Sequence, residues 1–328
     1  MRQPRIKIPS AEGEACYHCR TRTVNGEWLF NDTAKDILRR QVWQVADYCG
    51  VQILTYAILS NHFHVLVRVP REEPVSDAEL LRRFKVLYPH PTAYQNARLE
   101  VVEVELASNG PKAVAWRKRQ LALMGDLSQF MKLLKERFSI WFNKSHQRIG
   151  TLWAERFKST LVEGQGRVLE TMAVYIDLNC VRAGLASDPK DYRFCGYAEA
   201  VAGKEAARAG IRAVVGGHGW EEVQSQYRQL LFSTGAAPRE GGGSVTRKEL
   251  ERVIAEGGKL PMATVLCCRM RYFSDGAVLG SRAFVETQLA SYRKKTGRLL
   301  QRNPQALPAV TDWADLTTLR ALRQPGFG

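Results

Sequence analysis

The sequence holds no run of 18 apolar residues, so an ordinary membrane-spanning helix is not expected. Its opening stretch, MRQPRIKIPSAEGEACYHC, is basic but lacks the apolar core of a secretory leader. Cysteine is sparse and odd in number: Cys16, Cys19, Cys49, Cys180, Cys195, Cys267 and Cys268. Their irregular spacing does not build a disulfide framework, and we expect reduced thiols in a cytoplasmic protein. Acidic residues are also short. Against 48 Lys and Arg stand 33 Asp and Glu, a net charge of +15 over 328 residues. That excess favours a polyanionic partner, most simply nucleic acid. With 45% hydrophobic and 25% charged residues the chain can bury a core, which excludes a disordered polymer. Its length suits about two domains of roughly 150 residues each.

Cys16-Tyr-His-Cys19 has the spacing of half a zinc site, but no second pair matches it. The segment alternates as a strand does, and cysteine is often a small buried apolar residue, so a core strand is the better reading.

The order of elements follows from periodicity. Residues 15–24 read as a strand, and Asn31-Asp32-Thr33 opens a helix whose Ile37, Leu38, Val42, Val45 and Tyr48 recur at steps of three and four. Val51 to Ile58 and His62 to Val69 read as a hairpin across Ser60-Asn61. From Pro70 to about Gly125 the pattern is less regular, with one short helix around 76–86, and we take 71–125 as an insertion. Asp126 to Lys144 returns to a strong helix with an apolar stripe including Phe130, Leu134, Phe138 and Trp141. Phe157 to Val162 reads as a fourth strand, and Val168 to about Arg182 as a helix closed by Ala183-Gly184.

This β-α-β-β-α-β run is the ferredoxin-like pattern of an α+β fold with an antiparallel sheet. Such a sheet packs helices on one face and offers the other to a ligand. The expected division is an arm over 1–14, this domain over 15–200, and a connecting region over 201–244 ending in the linker 236–244. A small helical module follows over 245–300, with helices at Thr246–Glu256 and Ser281–Lys294, then an irregular tail over 301–328.

Three stretches can carry chemistry. In Asn61-His62-Phe63-His64-Val65-Leu66-Val67 the two histidines share one face of a strand while Phe63 and Val65 take the other. Two imidazoles side by side can share a divalent metal, and we prefer that to a pair of merely satisfied histidines. In Tyr175-Ile-Asp-Leu-Asn179, Tyr175 and Asn179 lie one helical turn apart. A phenol could there face a metal held partly by the Asn179 carbonyl, although spacing alone favours a packing tyrosine. Finally, residues 112–158 hold eleven Lys/Arg against three Asp/Glu, a net of +8, interleaved with Trp141, Trp153 and Phe157. Basic residues can track a phosphate backbone while aromatics stack on bases; core packing is the alternative for each ring, and for Trp141 the preferred one.

Taken in this order, these motifs resemble the HUH-type single-tyrosine transposases, the insertion-sequence-200-like family, and within it the REP-associated tyrosine transposases. The likeness covers roughly residues 15–70 and 126–197. Tyr17-His18 with Arg22, Gly26 and Phe30 is similar to the family's first strand and turn. Asn61 to Val67 is similar to its His-hydrophobic-His strand, and Gly150-Thr151-Leu152-Trp153 through Arg156-Phe157-Lys158-Ser159 to its link into the fourth strand. Tyr175-Ile176 with Asn179 and Val181-Arg182-Ala183-Gly184-Leu185 is similar to its tyrosine helix. Cys180 departs from the proline usual after the Asn, which lets the helix run further. The 71–125 insertion is long for the family. Arg271-Tyr272-Phe273 and Val278 to Glu286 resemble a tail found in some REP-type members.

The resemblance implies cleavage and rejoining of single-stranded DNA near a hairpin. Tyr175 is the implied nucleophile, giving a 5′-phosphotyrosine. The implied ligands of one Mg²⁺ or Mn²⁺ are His62, His64 and Asn179. Our candidates for holding the strand are Lys132, Lys135, Arg148, Trp153, Arg156, Lys158 and Arg182. Monomer and homodimer both stay open. The alternatives are a replication-initiator or relaxase-type HUH nickase, a non-catalytic ferredoxin-like module that grips nucleic acid, and, last, a structural zinc protein.

Overall fold

The computed structural model describes residues 5–232, 259, 262–266, 270–297, 303–308, 311–313 and 315–319. Its centre is a seven-stranded, mostly antiparallel sheet with helices on both faces, an α+β architecture. Strand β1 (Ala15–Arg22) leads to helix α1 (Asp32–Cys49). The Asn31 side chain starts α1 by accepting the Ala34 N–H, and Gly50 ends it in the left-handed region at φ 64°. Strands β2 (Gln52–Ile58) and β3 (His62–Val69) form the hairpin, and β4 (Lys158–Val162) follows the long helix α5 (Leu127–Ser145). The order β2-β3-β1-β4 is antiparallel throughout.

Register fixes what each face carries, because directly paired residues point the same way. Phe63, Val65 and Tyr56 share one face. There Tyr56 meets Trp43 of α1, and Phe63 packs with Trp153 against Phe138 of α5. His62, His64, Leu66 and Thr55 share the other. That second face is not open. Helix α6 (Gly166–Asp177) crosses it, tied by Thr55 Oγ1, which donates to the buried Asp177 carboxyl at 2.9 Å. Tyr227 donates to the same carboxyl at 2.6 Å, and burial lifts its pKa to about 7. The continuous helix expected over 168–182 is broken at Leu178 and resumes as the single turn α7 (Asn179–Arg182).

The insertion is more ordered than its sequence suggests. It folds as α2 (Asp77–Val86), α3 (Ala93–Ser108) and α4 (Pro111–Leu121). Its prolines sit at helix ends: Thr92 and Gln95 form a capping box, and Pro111 takes the first position of α4. The region read as a connection is also folded, as α8 (Gly196–Val201), α9 (Glu205–Val215) and α10 (Trp220–Phe232). Gly210 lets α9 press onto β2, since a Cβ there would meet the Ile53 and Leu54 carbonyls at 2.5 Å.

The C-terminal part joins the sheet. Strand β5 (Val278–Gly280) runs parallel to β4, and β6 (Gln305–Ala306) and β7 (Thr317–Thr318) extend beyond it. A short helix, Arg271–Asp275, lies against β1 and β4, and a longer one spans Arg282–Thr296. The expected linker 236–244, the helix Thr246–Glu256 and Cys267 and Cys268 lie outside the described residues. No described helix is long and apolar enough to cross a membrane.

Candidate active site

Alternation on β1 places His18, Arg20 and Arg22 on the same face as His62 and His64. Arg22 stands opposite His62 and Arg20 opposite His64; on the other side Arg20 faces Lys158 and His18 faces Thr160. The result is a polar strip of imidazoles and cations across an otherwise apolar sheet.

Helix α6 brings the phenol to this strip. The Tyr175 ring lies 6.3 Å, centroid to centroid, from both His18 and His64, and meets both nearly edge-on. His62 and His64 are 5.2 Å apart by the same measure. Tyr175 is only 2% exposed. Phe273 packs on its ring at 5.0 Å, and its hydroxyl donates to the Met270 carbonyl at 3.4 Å. The far end of the chain therefore covers the site. Asp275 fastens that cover, 3.1 Å from Arg20 and 3.6 Å from Lys158. The Thr160 hydroxyl adds a 2.8 Å bond to the Gly276 carbonyl.

Burial disfavours the charged form of two of the imidazoles. Burial lowers the pKa of His18 to about 4 and pulls that of His64 well below its usual value. His62 Nδ1 lies 2.6 Å from Asn61 Oδ1. Asn61 is oriented by its Nδ2, which donates to the Gly26 carbonyl at 2.9 Å. The Asn61 oxygen accepts there, so His62 Nδ1 carries a proton.

Asn179 spends its Nδ2 on the Tyr175 and Ile176 carbonyls at 3.3 and 3.0 Å, so only its oxygen remains to face a cation. Imidazoles with an amide oxygen are a donor set that suits a divalent ion of the Mn²⁺ type. Among the described residues no three of His, Cys, Asp or Glu gather as a metal group, so such an ion would rest on two imidazoles and an amide. Cys16 and Cys19 are free and buried, and strand alternation puts them on opposite faces, which removes them as a zinc pair.

The expected strand-holding residues sit in different settings. Lys132 and Arg156 are exposed, and Lys135 lies within reach of the charges of Arg156 and Arg5. Arg148 is half-buried and 4.0 Å from Glu27. Lys158 joins the polar strip.

Two expectations need correction. Trp153 is not a stacking platform: it is 9% exposed, lies 5.8 to 5.9 Å from Phe30, Phe63 and Phe138, and donates its indole N–H to Ser139 Oγ at 2.7 Å. Apolar packing claims the ring, as for any aromatic with a buried polar handle. Arg182 does not reach outward either. Its guanidinium lies 4.1 Å over the Tyr175 ring and donates to the Leu266 and Tyr175 carbonyls.

Sequence reading had not assigned site roles to His18, Arg20, Phe273 and Asp275. The first two had a signal, the polar alternation His18, Arg20, Arg22 against Tyr17, Cys19, Thr21. The last two had none, being over a hundred residues from the strands they touch.

No protein-family model matches the sequence, and no curated protein matches it. Among solved structures the chain is similar to a REP-associated tyrosine transposase bound to a REP hairpin, at 14% identity and a TM-score of 0.36. That likeness covers 62% of this chain and 86% of the other.

Proposed function

We propose that this chain is a DNA strand transferase that cleaves and rejoins single-stranded DNA near hairpins through Tyr175. The observation that carries the reading is the convergence of a phenol from α6 with the imidazoles of β3 on one sheet face. A module that only gripped nucleic acid would have no need of that meeting. The antiparallel order β2-β3-β1-β4 supports the ferredoxin-like reading of residues 15–200, with 71–125 inserted.

In this reading His62, His64 and Asn179 would hold a divalent cation, which would supply Lewis-acid polarisation of the scissile phosphate. The Tyr175 oxygen attacks phosphorus, and the bond from phosphorus to the 3′ oxygen breaks. The phenolic proton ends on that leaving oxygen, giving a free 3′-hydroxyl and a 5′-phosphotyrosine. A later 3′-hydroxyl reverses the step, so no separate energy source is needed. Arg182, over the ring, fixes the phenol's direction and supplies positive charge beside it. Arg20, Arg22 and Lys158 line the path a phosphate backbone would follow, with Lys132, Lys135 and Arg156 as candidates further out. The segment Met270–Asp275 must leave before DNA reaches the phenol.

The test is to incubate the protein with single-stranded hairpin DNA and Mn²⁺ and look for a covalent adduct on a denaturing gel. The adduct is expected from the parent and absent from Tyr175→Phe. Equal cleavage by Tyr175→Phe would remove Tyr175 as nucleophile. Hairpin binding without an adduct under any metal would leave the non-catalytic module.

A further inference from the structure

We infer that His18 is a positioning residue: it holds the His64 ring in the tautomer that presents Nε2, and the Phe273 carbonyl holds His18 in turn. The inference deepens the strand-transfer reading and rests on it for its functional meaning.

The Phe273 carbonyl can only accept, and it lies 2.8 Å from His18 Nδ1, so that nitrogen carries a proton. A neutral imidazole has one N–H, so His18 Nε2 accepts. It lies 2.7 Å from His64 Nδ1, which must then donate. His64 is left with its lone pair on Nε2. The two rings are held nearly parallel, at 13° with centroids 4.9 Å apart, so neither turns without breaking a bond.

The alternate assignment fails at its first step. Were His18 Nδ1 unprotonated, two lone pairs would face each other across 2.8 Å in a buried site. A ring nitrogen of a metal-binding histidine is commonly oriented through its other nitrogen by a carbonyl or carboxylate. Here an imidazole is interposed, and the carbonyl comes from the segment that covers the site. The relay runs from Phe273 through His18 to His64. His62 is oriented separately, through Asn61.

The test compares His18→Gln with His18→Leu in the full chain. A glutamine reproduces both roles: its amide N–H₂ donates to the Phe273 carbonyl and its oxygen accepts from His64. A leucine keeps the bulk and supplies neither. Two readouts are taken: Mn²⁺ binding by titration calorimetry, and the ring ¹⁵N shifts of His64, which report its tautomer without metal or DNA. The parent is expected to show His64 protonated on Nδ1. His18→Gln should keep that tautomer and bind Mn²⁺ within about threefold of the parent. His18→Leu should show mixed tautomers and bind about 10–100-fold more weakly.

A folded His18→Leu with the parent's tautomer and affinity overturns the inference. So does a parent His64 protonated on Nε2, whether or not either variant folds. A parent that shows the Nδ1 tautomer but binds no Mn²⁺ sinks the metal reading and leaves the His18 relay standing.

Discussion

The guanidinium of Arg182 lies 4.1 Å above the ring of Tyr175 and donates to the carbonyl of the same residue at 2.9 Å. One side chain thus clamps both the aromatic face and the backbone of the proposed nucleophile. Arg182→Ala is expected to lower unfolding free energy by about 1–2 kcal/mol, from the lost cation–π contact and charged hydrogen bonds. Arg182→Lys should recover less than half of that, because an ammonium cannot span ring and carbonyls as a planar fork does. Urea unfolding of both variants measures this. A lysine variant as stable as the parent would show that the planar fork is not needed here.

Trp153 tests the corrected role of an aromatic once expected to stack on bases. Its ring is enclosed by Phe30, Phe63 and Phe138, so Trp153→Ala should cost about 3–5 kcal/mol of stability. Hairpin affinity of the folded fraction should stay within about twofold. Unchanged thermal stability with lost DNA binding would return Trp153 to the interface.

Lys135 supplies a pH dependence. Burial, foremost, holds its pKa down to about 8 from 10.5. Between those values the folded chain has shed a proton that the unfolded chain retains. Stability attributable to this residue therefore rises with pH from about 8 to about 10.5 and is flat below 8. Lys135→Met should raise stability most below pH 8, with the gain shrinking by pH 10. A ¹³C titration of the side chain should give a midpoint near 8. A midpoint at the ordinary lysine value would contradict the half-buried setting of the ammonium.

Asp275 ties the covering segment to the sheet through Arg20 and Lys158. Asp275→Asn keeps the shape and removes the charge, so the segment should lift more often. In the adduct assay this is expected to raise the rate severalfold. An unchanged rate would mean that departure of the segment does not limit access to Tyr175.

Much of the central sheet could be read directly from residues. The strand His62–Val69 matches its pattern because alternation over eight residues admits one register. Helix α1 was legible because Asn31 and Gly50 mark its ends. The insertion was harder: α3 is exposed at Tyr94, Val101 and Val104, so apolar residues stand on its outer side and blur the amphipathic period. The local capping signals Thr92, Gln95 and Pro111 were there all the same.

The sequence by itself determined which residues of a strand share a face, as His62 does with His64. That relation is set by the local repeat of the strand, which needs no tertiary partner. Only the tertiary structure decided that His18 bridges Phe273 and His64, that Trp153 is core, and that the second sheet face is covered. Each depends on groups far apart in the chain, such as His18 and Phe273, brought together by packing and by buried polar groups that must find partners. No local spacing encodes that requirement.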